Sequence, residues 1–220
     1  MKEIYKDVYL VGSSGCEVYL VDTHSEEGLV LIDCGMDLSI IQDISKKGFD
    51  PLSILHCIIT HCHIDHIAAC AELKKFNPKI KFYAHELDAE AIEKKGFDNR
   101  TAASWYGKTY TPVQLNTRFK GGMKALQLGD YEFKCIHTPG HTPGSIAVVV
   151  DISNKRILFG QDIHGPFYES FGSNLEEYQA SMKKLLDLKP DILCEGHFGI
   201  IKPADEVKKY IEGYMKRNRP

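Results

Sequence analysis

The sequence predicts an α/β protein folded as a four-layer αββα sandwich, and three observations carry that prediction. Short β-branched runs bounded by turn residues alternate with helical spacings; the alternation occurs once in each half of the chain; and several runs end in a histidine or an aspartate. With 220 residues the chain can bury a substantial core. It has no Pro/Ser linker, low-complexity block or short-period repeat, so it reads as one domain over 1–220, built from two similar sheet-plus-helix halves, without a separate C-terminal substrate domain.

In the first half, Val8–Val11, Glu17–Val21, Leu29–Ile32 and Ile54–Thr60 have the composition of strands. Leu38 to Ile44 has helical apolar spacing behind an Asp37 cap and stops at Gly48; Ile67 to Phe76 repeats that logic before Asn77-Pro78. Lys79–Ala84 reads as a strand and Glu86–Lys95 as a charged, solvent-facing helix ended by Gly96. Asp98 to Gly122 is irregular and aromatic-bearing, the form of a substrate lid. In the second half, Met123–Leu128, Tyr131–Ile136, Ser145–Val150, Arg156–Phe159 and Ile192–Cys194 read as strands. Leu175–Leu188 and Ala204–Lys216 read as helices.

Charge is nearly balanced, 27 basic against 30 acidic residues for a net of −3, and the basic residues are scattered, which argues against nucleic acid as a partner. No apolar stretch approaches the ~20 residues that span a bilayer, and the N-terminus lacks a signal-peptide core. Seven cysteines without C-x-x-C spacing favour a reducing compartment, so a cytoplasmic protein is expected. A homodimer is compatible with the sequence.

The most informative segment is His61-Cys62-His63-Ile64-Asp65-His66, which follows an apolar run and packs four metal-competent side chains into six residues. Other runs lead to His137 and His141, to Asp162 and to His197. In an extended segment the period is two, so His61 and His63 face one way, while Asp65 and His66, at the turn into a helix, address a neighbouring position. The spacing thus points to two metals: His61, His63 and His141 for one, Asp65, His66 and His197 for the other, with Asp162 bridging. Water shared by two cations has its pKa lowered from about 15.7 towards ~7, which provides hydroxide at neutral pH. Asp65 and Asp162 are the carboxylates expected to serve catalysis with that hydroxide. Imidazole and carboxylate donors suit divalent zinc first, with iron or manganese also compatible.

Through His61-Cys62-His63-Ile64-Asp65-His66, His137-Thr138-Pro139-Gly140-His141-Thr142-Pro143-Gly144-Ser145, Gly160-Gln161-Asp162 and Gly196-His197, the chain resembles the metallo-β-lactamase fold superfamily, and especially its glyoxalase II-like (hydroxyacylglutathione hydrolase-like) branch. The resemblance covers nearly the whole chain and implies the same partition of metal ligands. It also implies that Asp33, in Leu31-Ile32-Asp33-Cys34-Gly35, supports the metal ligands without binding metal. The activity implied is hydrolysis of a small ester-like substrate, thioester first. Two other readings use the same residues: a mononuclear iron enzyme resembling the persulfide dioxygenases, and a metal- or ligand-binding sensor without turnover.

His164, two residues past Asp162, reads either as a substrate contact or as a solvated loop residue. Tyr106, with Trp105 and Tyr110, reads either as a pocket wall or as packing. His137 reads as structural, alternation points Cys62 away from its histidine neighbours, and His24, His56 and His85 have no expected metal duty.

Overall fold

The computed structural model describes residues 1–220. Strands β1 (Lys2–Tyr5), β2 (Val8–Gly12), β3 (Val18–Asp22), β4 (Leu29–Ile32), β5 (Ile54–Ile58), β6 (Lys81–His85) and β7 (Thr117–Phe119) form a seven-stranded sheet in that spatial order. Pairing is antiparallel from β1 to β4 and parallel from β4 to β7. Parallel neighbours need long crossovers. These are supplied by α1 (Ser39–Lys46), by the short α2 (Ile64–Ile67) and α3 (Cys70–Phe76), and by α4 (Glu86–Glu93).

The second sheet contains β8 (Met123–Leu128), β9 (Tyr131–His137), β10 (Ile146–Ile152), β11 (Lys155–Gln161), β12 (Ile192–Glu195) and β13 (Ile200–Ile201), ordered β13-β12-β11-β10-β9-β8. Only β11 and β12 pair in parallel. Helix α5 (Leu175–Asp187) connects them, and α6 (Ala204–Arg217) follows β13.

Three apolar clusters give the predicted four layers. Val8, Tyr19, Val30, Ile58, Phe133, Val148 and Phe159 belong to the cluster between the sheets. Leu20, Leu31, Cys57 and Phe82 meet Ile40, Ile44, Ile67 and Leu73 on the outer face of the first sheet. Val149, Leu158 and Leu193 meet Tyr178, Met182, Leu185, Val207 and Ile211 on the outer face of the second. Strands buried on both faces explain the continuous apolar runs.

Four local expectations change. β1, β7 and β13 are strands of two to four residues, too short to show a period. The helix expected over Ile67 to Phe76 is divided: α2 starts earlier and carries Asp65 and His66, and α3 starts only at Cys70. Asp151–Lys155 reads in sequence as a turn, and the structure narrows it to Ser153-Asn154, both at positive φ as a two-residue hairpin turn requires. Finally, α4 is not a solvent-facing helix, because Asp88, Ala89, Ala91 and Ile92 are buried.

Candidate metal centre

The extended segment after β5 carries His61 and His63, whose ring centroids lie 4.6 Å apart, and the first turn of α2 then presents Asp65 and His66. His141 stands in the turn between β9 and β10, Asp162 directly after β11, and His197 two residues after β12. The last two meet because residue 196 is glycine: a Cβ there would lie 2.2 Å from Asp162 Oδ1.

Donor atoms of His61, His63, His141 and Asp162 lie within 4.8 Å of one another, as do those of Asp65, His66 and His197. Asp162 spans both groups. Its Oδ2 is 3.7 Å from His61 Nε2 and 3.3 Å from both His141 Nε2 and His197 Nε2, while its Oδ1 is 3.2 Å from His66 Nε2.

A hydrogen-bond network fixes which ring nitrogens face inward. Asp33 accepts from Thr60 N–H at 2.8 Å, from the Thr60 hydroxyl at 2.7 Å and from His66 Nδ1 at 2.8 Å. Having given its only proton to Asp33, the Thr60 hydroxyl accepts from His61 Nδ1 at 3.1 Å. His141 Nδ1 donates to the Pro166 carbonyl at 2.9 Å. With the other ring nitrogen engaged, the Nε2 atoms of His61, His66 and His141 all face Asp162. Second hydrogen bonds of this kind are what metal-ligating histidines make.

Acceptor atoms that converge need a proton or a cation between them. His61 Nε2, His63 Nε2 and Asp162 Oδ1 are buried without a hydrogen-bond partner, and His141 Nε2 approaches His63 Nδ1 to 2.9 Å. Burial drives His61 and His63 well below the usual histidine range, so both present neutral imidazole. Burial raises the Asp162 carboxyl, but the imidazoles of His66 and His61 and hydrogen bonds from His141 and His197 outweigh it and hold the group well below the usual carboxylate range. His66 and His197 are shifted the other way, raised against burial by the carboxylates and, for His66, by Cys16. Positive charge is therefore favoured where these side chains meet, and imidazole with carboxylate is a donor set suited to divalent cations such as zinc.

All seven predicted donors thus gather at one place. Asp33 stands behind them, at positive φ, without entering either cluster's inner edge. A pocket of about 230 Å³ opens over the centre, lined by His63, Asp65, Asp162, His164 and His197 on the polar side and Trp105, Tyr106 and Phe171 on the aromatic side. Tyr106 donates its hydroxyl to Asp65 Oδ2 at 3.2 Å, and burial with the Asp65 charge pushes the phenol up to about 12, so it remains a donor. His164 reaches the pocket and donates Nδ1 to buried Glu195 at 2.9 Å. Tyr110 packs in the core. His137 stays outside, bonded to the Pro143 carbonyl and stacked on His85. Cys62 points away towards the Arg100 carbonyl.

Sequence reasoning missed Thr60, Asp88 and Glu195. Thr60 had one available signal, its place immediately before the histidine segment. Asp88 and Glu195 resemble ordinary surface acids in sequence, and only burial distinguishes them.

Residues 11–197 match the family described as the Metallo-beta-lactamase superfamily. An uncharacterized protein of Aquifex aeolicus is 30% identical over 193 residues, covering 83% of each chain. The hydroxyacylglutathione hydrolase GloC of Haemophilus influenzae is 29% identical over 147 residues, 63% of this chain and 62% of that one. Among solved structures, the class B3 di-zinc metallo-beta-lactamase LRA-12 from an Alaskan soil metagenome superposes with a TM-score of 0.80 at 22% identity, covering 99% of this chain and 90% of that one. With its αββα layers and its histidine–aspartate centre at the strand ends, the chain belongs to the metallo-β-lactamase superfamily.

Proposed function

We propose that the protein is a metal-dependent hydrolase of small thioesters and related esters, with one divalent cation held by His61, His63 and His141, a second by Asp65, His66 and His197, and Asp162 shared between them. Zinc is the first choice of metal, by the donor set. The observation that carries this reading is the position of Asp162, whose carboxylate reaches His61 and His141 of one donor cluster and His66 and His197 of the other. Divalent cations held there supply Lewis acidity, which acidifies water and polarises an acyl carbonyl.

The chain's own residues do the rest. Asp33 holds His66 directly and His61 through Thr60, so donors from two elements keep fixed ring orientations before substrate arrives. Tyr106 ties down one oxygen of Asp65. Trp105 and Phe171, with centroids 5.0 Å apart, form a wall that shields one side of the reacting carbonyl from bulk water. With Nδ1 engaged by Glu195, His164 has its other ring nitrogen available to a substrate polar group. No lysine or arginine lines the pocket, so it suits an uncharged acyl group better than an anionic one. The likeness to GloC, a hydroxyacylglutathione hydrolase, supports placing thioesters first.

The test compares reconstituted wild type with Asp162→Ala on activated thioesters, esters, lactones and phosphodiesters. Thioester turnover should require metal and fall by about 10³-fold or more in the variant, as expected when several kcal/mol of electrostatic stabilisation are removed. Equal rates for the two proteins on every substrate would overturn the reading.

A further inference from the structure

Asp88 belongs to neither donor cluster, yet it is completely buried and its carboxylate is saturated with hydrogen bonds. Oδ2 accepts from Cys62 N–H at 3.0 Å and from the Thr142 hydroxyl at 2.7 Å. Oδ1 accepts from Gly144 N–H at 2.9 Å and from Arg100 Nη2 at 3.0 Å. Four donors fill the four acceptor positions a carboxylate offers.

The identity of those donors matters. Cys62 sits between His61 and His63, and Thr142 and Gly144 follow His141, so one side chain joins the two segments that supply the first cluster. The approach is close enough to demand glycine at 144, where a Cβ would lie 2.5 Å from both Asp88 Cγ and Asp88 N. Arg100 supplies the counter-charge that a buried carboxylate needs, and is itself held by the Leu87 carbonyl at 2.6 Å. Asp88 lies in the first turn of α4, where the helix dipole favours negative charge.

The second cluster is held by different carboxylates. Asp33 takes His66, and Glu195 accepts from His197 N–H at 2.7 Å and from His164 Nδ1 at 2.9 Å. Asp88 makes no hydrogen bond to the elements carrying Asp65, His66 or His197.

We propose that Asp88, neutralised by Arg100, is a positioning residue that sets the spacing of His61 and His63 against His141, and so tunes the first cluster's affinity for a divalent cation independently of the second. The proposal rests on the metal assignment above. In Asp88→Asn the side chain keeps its shape, but one oxygen remains to accept and an amide NH₂ faces donors.

The experiment is stepwise titration with Co(II), read by its d–d absorption, and with Zn(II), read by competition with a chromophoric chelator. His63→Ala and His197→Ala identify which step belongs to which cluster. Asp88→Asn should weaken the first-cluster step by about 10–100-fold and shift its Co(II) spectrum, leaving the second step within about threefold of wild type. Glu195→Gln should show the converse. Thr142→Val, which removes only one of the four bonds, should weaken the first step alone by about threefold or more; it decides the matter if Asp88→Asn does not fold. Wild-type affinities in Asp88→Asn or, failing that protein, in Thr142→Val overturn the role of Asp88, as does equal weakening of both steps. Wild type that takes up no cation overturns the metal assignment as well.

Discussion

The two donor clusters are built at one edge of the fold from the same residue types, but one is closed and the other open. His61, His63 and His141 are 0%, 4% and 1% exposed. They lie beneath Phe171, with Asp88 behind their backbone. In the second cluster His66 is buried, but the His197 side chain is 23% exposed and borders the pocket with Asp65 and the aromatic wall. The difference separates two tasks. The more buried cluster leaves less room for water to replace a lost donor, so it favours retention of a cation; the more open cluster leaves space beside His197 for substrate to exchange.

The largest expected effect tests that division directly. His63→Ala should reduce affinity at the closed cluster by more than about 10²-fold, beyond the usual cost of losing a supporting hydrogen bond, whereas His197→Ala should cost the open cluster less, because water can fill its place. Equilibrium dialysis with metal analysis gives both numbers, and equal losses would remove the distinction. Asp33→Asn should blur it instead. Because Asp33 reaches His61 through Thr60 and His66 directly, both affinities should fall by about 10–100-fold in the same titration. A loss confined to one cluster would show that the Thr60 relay does not act on His61.

The closed cluster was also the more legible in sequence. His61 and His63 alternate on an extended segment, and period two alone puts them on one side. The layers were legible for a similar reason, since strands buried on both faces leave unbroken apolar runs. What escaped were features set by long-range approach. Asp88 appears in a stretch of charged residues that reads as solvated helix surface, and only folding brings Cys62, Arg100, Thr142 and Gly144 around it. Glu195, at the end of β12, is similar: its partner His164 is adjacent only after β11 and β12 pair. The aromatic wall was half legible, because Trp105 and Tyr106 were read with Tyr110 and the structure sends the third into the core.

On the open side, Trp105→Ala removes an aromatic side chain that is 54% exposed and touches Phe171 and Tyr168. Stability should change by no more than about 0.5 kcal/mol, the usual range for exposed positions. KM for the best thioester should rise by about tenfold with kcat little altered, since the wall binds substrate and transition state alike. Steady-state kinetics separates these parameters, and a fall in kcat with unchanged KM would place Trp105 nearer the chemistry than the pocket wall.

The smallest effect concerns histidines remote from both clusters, which show how this fold treats imidazole in the absence of such a donor set. His56 is 1% exposed, bonded to Tyr83 at 2.8 Å and facing Glu27 at 2.9 Å. Burial lowers its pKa below 6.5 despite the opposing pull of Glu27. The unfolded chain therefore binds this proton more readily, so His56 contributes full stability above about pH 6.5 and loses it as pH falls through the folded value. His24 has the opposite sign. Its hydrogen bond to Asp7 outweighs a small burial effect and raises it, so its contribution is complete below about pH 6.5 and disappears as pH rises through the folded value. Urea midpoints from pH 5 to 8 should show His56→Gln flattening the acid side of the stability profile and His24→Gln flattening the alkaline side, with the second change the weaker because His24 is half exposed to solvent. A His56→Gln profile parallel to wild type would mean that the pull of Glu27 cancels burial and leaves the ring no different from that of the unfolded chain, whereas a change confined to the alkaline side would mean that Glu27 holds the buried ring charged.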